Sequence, residues 1–161
     1  MIENEIDNLE ESLYYAIENK LYDHFIVFYN RLILSNLSDL ELQSLLNKLI
    51  TLCCIHEQID ILKKIVSHPL SQPNHEEGIA LIVSVQNSNS TIFKYLSGLP
   101  NAIFNGKKNK AIYIASLDKE NIDIINILWE QESVKSTLFI DHPNLYQMLV
   151  KRDIKNKVNH F

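Results

Sequence analysis

The sequence predicts an all-α solenoid of about four helix-turn-helix units followed by a C-terminal capping helix. An amphipathic segment at residues 120–128 recurs in looser form at residues 57–65 and 88–96. Asp60, Thr91 and Asp123 take equivalent positions in these copies, so the repeat is 31 or 32 residues long. Only 3 Gly and 4 Pro occur among the 161 residues, which favours helices over a turn-rich β fold. The alternative is another α-solenoid or a helical bundle.

The units are expected to follow one another within a single domain, residues 1–161. Each unit has an apolar first helix, a polar turn and an amphipathic second helix. Ser38 and Glu41 form a capping-box pattern, which predicts that a helix begins at Ser38, ahead of the second unit. The predicted units cover residues 8–30, 45–68, 77–99 and 109–131, and the predicted cap covers residues 144–152.

Aligned positions of the first helices form a column of large residues and, three residues later, a column of mostly small ones. Small residues allow neighbouring helices to approach closely, as stacked units require. We expect the ring of Tyr113, in the large column, to be buried. The large column is Leu13, Ile50, Leu81, Tyr113 and Leu145, the small column is Ala16, Cys53, Ser84, Ser116 and Met148, and the second helices align Ile61, Ile92 and Ile124.

The segment Glu-Asn-Ile-Asp-Ile-Ile at residues 120–125 resembles the Gly-Asn-Leu-Glu-Ile-Val segment of ankyrin repeats. The small residues at 53, 84 and 116 match the paired-Ala position of that family. The resemblance covers most of residues 8–150, and it implies a stack that binds proteins through the turns after the first helices and through projecting loops. The chain departs from the family in lacking the Thr-Pro-Leu-His signature and in carrying Glu57, Ser88 and Glu120 where the turn Gly is expected.

Composition and charge narrow the range of partners and compartments. The net charge of −5 argues against nucleic-acid binding. The acidic first eleven residues are unlike a signal peptide, and the longest apolar run, residues 79–85, is too short to span a membrane. Two Cys fit a reducing, cytoplasmic compartment. The Ile-, Asn- and Lys-rich array is similar to ankyrin-type proteins that intracellular bacteria deliver into host cells, which implies an effector, or a regulator of one, in a host cytosol.

Residue patterns that could carry chemistry favour structural interpretations. Adjacent helical side chains such as Cys53 and Cys54 point about 100° apart, so they can hardly bind one metal ion. None of the six His has a recognised ligand spacing. The basic segment at residues 107–110 predicts a solvated loop, with an anion site as the alternative. We therefore expect no catalytic residue, no metal and no cofactor.

The predicted function is a non-enzymatic protein–protein interaction module. Ile55 is apolar where its counterparts in other turns are polar, which makes it a candidate anchor. Trp129, the only Trp, is aligned with Val66 and Ser97, so it could contact a partner or cover the stack under the last helix. The alternatives are an enzyme inhibitor, an enzyme with an unrecognised site between repeat units, and a structural subunit of an oligomer. The candidate binding residues are Glu18, Asn19, Ile55, His56, Gln86, Asn87, Asp118, Lys119 and Trp129.

Overall fold

The computed structural model describes the backbone of residues 2–158 and the side chains of residues 8–153. These residues form ten α-helices and one short 3₁₀ helix and contain no strand, which confirms the all-α prediction. The helices are α1 (Ile2–Glu18), α2 (Tyr22–Ile33), α3 (Asp39–Ile55), α4 (Ile59–Val66), α5 (His75–Gln86), α6 (Ser90–Ser97), α7 (Gly106–Ser116), the 3₁₀ helix (Lys119–Asn121), α8 (Ile122–Glu130), α9 (Glu132–Asp141) and α10 (Pro143–Val158).

The chain divides into two compact units, which we call the N-terminal unit (residues 1–75) and the C-terminal unit (residues 76–161). The expectation of a single domain stays a prediction. In the N-terminal unit α1 packs against α2 and α3, and α4 packs against α3 and α2. The capping box predicted at Ser38 is confirmed: Ser38 N donates to Glu41 Oε2 at 2.9 Å, and Glu41 N donates to Ser38 Oγ at 3.4 Å. The core of this unit contains Leu13, Ile17, Phe25, Leu46, Leu49, Ile50, Ile61, Leu62 and Ile65.

In the C-terminal unit α7 packs against α8 and α9, α8 packs against α9, and α10 packs against α9. The second-helix column predicted from the sequence is buried here, with Ile92 fully buried and Ile124 2% exposed. No described helix is both long enough and apolar enough to cross a membrane.

The turns at the ends of α1, α3 and α5 have the same backbone geometry. Each contains one left-handed residue, and the next amide donates to the carbonyl of the small residue five positions earlier, as in a Schellman motif. This geometry explains the small column, because the chain folds back over that residue. The left-handed residues are Lys20, Glu57 and Ser88 (φ 60°, 59° and 52°), and the hydrogen bonds join Leu21 N to Ala16 O (2.8 Å), Gln58 N to Cys53 O (2.9 Å) and Asn89 N to Ser84 O (2.9 Å).

The turn after α7 is different, and it shows that one sequence expectation is wrong. Tyr113 is 43% exposed, whereas its neighbour Ile112 is buried. Ala115 is likewise buried in place of Ser116, which is half-buried. This turn holds one residue more than the others, and the 3₁₀ helix accommodates it. The first helix is therefore shifted by one position, while Ile124 of the second helix keeps its place in the core.

Candidate functional site

In the N-terminal unit, two of the predicted turns lie side by side. Glu10 Oε1 is 3.3 Å from Lys48 Nζ, and Glu18 Oε1 is 4.0 Å from His56 Nε2. Both pairs are separated by 38 positions in sequence, so α1 and α3 run parallel and end together. The structure thereby brings Glu18 and Asn19 next to the end of α3, where Ile55 and His56 lie.

The surface at these two turns is mixed in character. Ile55 is 48% exposed at the end of α3. Asn19 is exposed, and its Nδ2 donates to Tyr15 O at 2.8 Å. Tyr15 is 62% exposed and was missed by sequence reasoning. The available signal was its position between Leu13 and Ala16, the two α1 residues in the core columns, because a side chain outside those columns can face solvent.

The C-terminal unit brings its two predicted turns together as well. Asn121 Nδ2 donates to Ser88 Oγ at 3.5 Å, which places the turn containing Gln86 and Asn87 beside the turn that follows α7. Gln86, Asn87, Asp118 and Lys119 are all exposed. Asp118 Oδ1 accepts a hydrogen bond from Glu120 N at 3.0 Å, so this carboxylate also caps the 3₁₀ helix.

Trp129 lies in the interior and does not present its ring to solvent. It is 7% exposed and meets Tyr146 edge to face, with ring centroids 5.8 Å apart. Its Nε1 donates to Asp153 Oδ2 at 3.3 Å. Tyr146 and Asp153 belong to α10, so the Trp129 ring lies under the last helix, which is the alternative that the sequence left open.

The cysteines are placed in the core of the N-terminal unit. Cys53 and Cys54 are both fully buried. Burial raises the pKa of the Cys54 thiol to about 12 and raises that of Cys53 well above its usual value. Thiols of this kind stay protonated and react poorly, because the thiolate is the nucleophile and the metal ligand. Across residues 8–153, no group of three or more His, Cys, Asp or Glu side chains is placed to hold a metal ion.

The basic segment at residues 107–110 contacts acidic groups of its own chain. α5 and α7 each begin with three left-handed residues, Glu76 to Gly78 and Lys107 to Asn109. Lys107 N donates to Glu77 Oε2 at 2.8 Å, and Lys107 Nζ is 3.7 Å from Glu76 Oε2. Carboxylates of the same chain thus occupy the place where the sequence left an anion site open.

A groove of about 470 Å³ in the C-terminal unit is lined by the titratable residues Tyr113, Asp141 and His142. The ring of Tyr113 stacks on that of His142 at 4.6 Å. His142 Nε2 lies 3.0 Å from Lys108 O, and Asp141 Oδ2 accepts from Asn109 Nδ2 at 2.6 Å. Asp141 and His142 therefore hold the start of α7. Ser116 lines the same groove, and its Oγ donates to Tyr113 O at 2.6 Å.

Comparison with protein-family models, with curated proteins and with solved structures gives no match for this chain.

Proposed function

We propose that this chain is a non-enzymatic protein-interaction module that binds a protein partner through its interhelix turns. The observation that carries the proposal is the left-handed backbone at Lys20, Glu57 and Ser88. A side chain in this conformation costs about 1–2 kcal/mol, and glycine would avoid the cost. Strained residues that persist in a fold cluster at functional sites. Three successive turns therefore carry a residue with a side chain at a position where stability alone favours glycine.

The same turns offer groups suited to recognition. Ile55 supplies an exposed aliphatic side chain, and Glu18, His56 and Asp118 supply charged or ionisable groups around the turns. A few central apolar contacts surrounded by polar ones carry most of the binding energy in typical interfaces. In this proposal the module works in a cytosol. Its similarity to ankyrin-type effectors of intracellular bacteria makes host-cell cytosol the first lysate to test.

The test combines partner identification with a matched pair of variants. Pull-down from that cytosol and mass spectrometry provide a candidate partner, and its Kd is then measured with purified proteins. We expect the combined variant Ile55→Asp, His56→Ala and Asp118→Arg to raise the Kd at least about tenfold, which corresponds to about 1.4 kcal/mol.

The control makes the same change, an exposed aliphatic residue to Asp, on helix α2 and not in a turn. Val27 on α2 is 51% exposed, close to the 48% of Ile55, so Val27→Asp should leave both the helical content and the Kd unchanged. Unweakened binding by the folded triple variant would show that the turns are the wrong surface. A Kd that rises equally in the Val27→Asp control would do the same.

A further inference from the structure

Two neighbouring cavities lie along α2 and α4 in the N-terminal unit, and we call them together the groove. One cavity of about 560 Å³ is lined by Tyr22, Asp60, Lys63 and Lys64. A second cavity of about 500 Å³ also has Lys64 in its lining and extends to Pro69, beyond the end of α4. The shared Lys64 joins the two cavities. The two cavities lie along α2, whose 12 residues give the helix a length of about 18 Å, enough for a peptide of one helical segment or a shorter extended one.

The charge of this groove is opposite to that of the unit around it. Residues 1–75 contain 11 Asp and Glu against 5 Lys and Arg, a formal charge of −6 with His neutral. Two of those five cations, Lys63 and Lys64, line the groove, where Asp60 is the one carboxylate among the described residues that line either cavity. Neither lysine lies within 4.0 Å of a carboxylate oxygen in the described side chains.

The other end of the groove is mixed, with Ile33, Leu34 and Pro69 beside the polar side chains of Asn30, Ser67 and His68. Tyr29 is buried, stacks on Phe25 with ring centroids 5.3 Å apart, and lies under Lys64 Nζ at 5.9 Å from its ring centroid. Leu34 is 84% exposed and lines the same cavity as Ile33. The groove therefore has a cationic end and an end where exposed apolar side chains lie among polar ones.

We propose that this groove binds an acidic segment of a protein partner, with carboxylates at Lys63 and Lys64 and an apolar side chain at Ile33 and Leu34. Two lysines without a counter-ion among the side chains of residues 8–153 attract carboxylates, whereas the surrounding negative unit repels acidic segments elsewhere and so directs them to this groove. The inference rests on the proposed function in assuming a protein partner. It assigns a surface on α2 and α4, distinct from the turn residues Ile55 and His56.

The experiment uses the full chain and a phage-displayed library of random 12-residue peptides. We expect selected peptides to be net negative and to contain a large apolar residue. A labelled selected peptide and its amide version, with Gln and Asn in place of Glu and Asp, are then compared by fluorescence anisotropy. The amide version should bind at least about tenfold more weakly, and high salt should weaken the acidic peptide because exposed charges are screened.

Two double variants with the same change in net charge locate the site. Lys63→Glu with Lys64→Glu should raise the Kd of the acidic peptide at least about tenfold. Lys94→Glu with Lys110→Glu changes two exposed lysines of the C-terminal unit and should leave the Kd unchanged. Leu34→Ser should weaken binding without altering the salt dependence, because it removes apolar contact and no charge.

The results that would overturn the inference are equally specific. The inference fails if the selection gives no binder, or only binders without net negative charge. It also fails if the two double variants have an equal effect, or if the chain binds an oligonucleotide or a phosphatidylserine vesicle in place of peptides. The peptide assay needs no natural partner, so its failure leaves the test of the turn residues intact. Conversely, acidic peptides that still bind the Ile55→Asp triple variant would support the groove even if the turns proved not to bind.

Discussion

Replacing Glu57 by Gly is expected to stabilise the protein, although it removes a side chain. Glu57 is exposed and has φ 59°, a conformation that costs a non-glycine residue about 1–2 kcal/mol. Glycine gives back about 0.5–1 kcal/mol of this through its greater freedom in the unfolded chain. The net gain is about 0.5–1 kcal/mol, which corresponds to a rise in Tm of about 1–4 °C for a chain of this size.

The matched control is Glu120→Gly, which occupies the equivalent position of the repeat in the sequence alignment. Glu120 lies in the 3₁₀ helix, where glycine lacks any conformational advantage. We expect this variant to lose about 0.5–1 kcal/mol, the usual cost of glycine in a helix. The two substitutions are chemically identical, so the opposite signs isolate the backbone conformation as the cause.

The assay is urea and thermal unfolding followed by far-UV circular dichroism, which reports on the loss of helices such as α3 and α4 on either side of Glu57. A Glu57→Gly chain that is less stable than the wild type would refute the reasoning, as would a Glu120→Gly chain that is equally stabilised. The second result would mean that the fourth turn has the same geometry as the others.

Three further predictions test other parts of the structure. Gly106→Ala should destabilise the chain by about 3 kcal/mol or more in urea unfolding, because its Cβ would lie 1.8 Å from the backbone oxygen of Glu77. Gly98→Ala should be nearly neutral, because the atom nearest to its Cβ would be 3.4 Å away. Burial raises the pKa of the Cys54 thiol from 9.0 to about 12, so the thiol loses its proton at lower pH in the unfolded chain than in the folded one. The free energy of unfolding should therefore fall as pH rises from about 9 to about 12, which urea midpoints across that range would measure. A Cys54→Ala chain with the same decline would rule out the thiol as its source. Acrylamide should quench the fluorescence of Trp129 far less in the native chain than in urea, because the ring is 7% exposed, and equal quenching would place the ring at the surface.

The helical class and the second-helix positions could be predicted because they depend on local spacing alone. Ile61, Ile92 and Ile124 recur at the period of the repeat, and all three are buried. The position of Tyr113 could not be predicted in the same way. One additional turn residue rotates α7 by one position, and a repeat aligned on its second helix does not reveal on which side of the turn that residue lies.

The candidate site was predictable in its parts but not in its arrangement. The turns were found from polar residues between apolar stripes, but the neighbourhood of Glu18 and His56 depends on the parallel packing of α1 and α3. The groove along α2 and α4 had no sequence signal, because Lys63 and Lys64 look like ordinary solvated lysines until α2 is placed beside them.

The one-residue difference after α7 also identifies a place for protein engineering. Residues 117–120 are exposed, and the 3₁₀ helix there already accommodates a change in chain length while Ile124 stays in the core. Exposed segments of this kind tolerate insertions best. An affinity tag or a split-reporter fragment placed between Asp118 and Lys119 would thus be carried beside the turn that contains Gln86 and Asn87, where it could report directly on the occupancy of that turn by a partner.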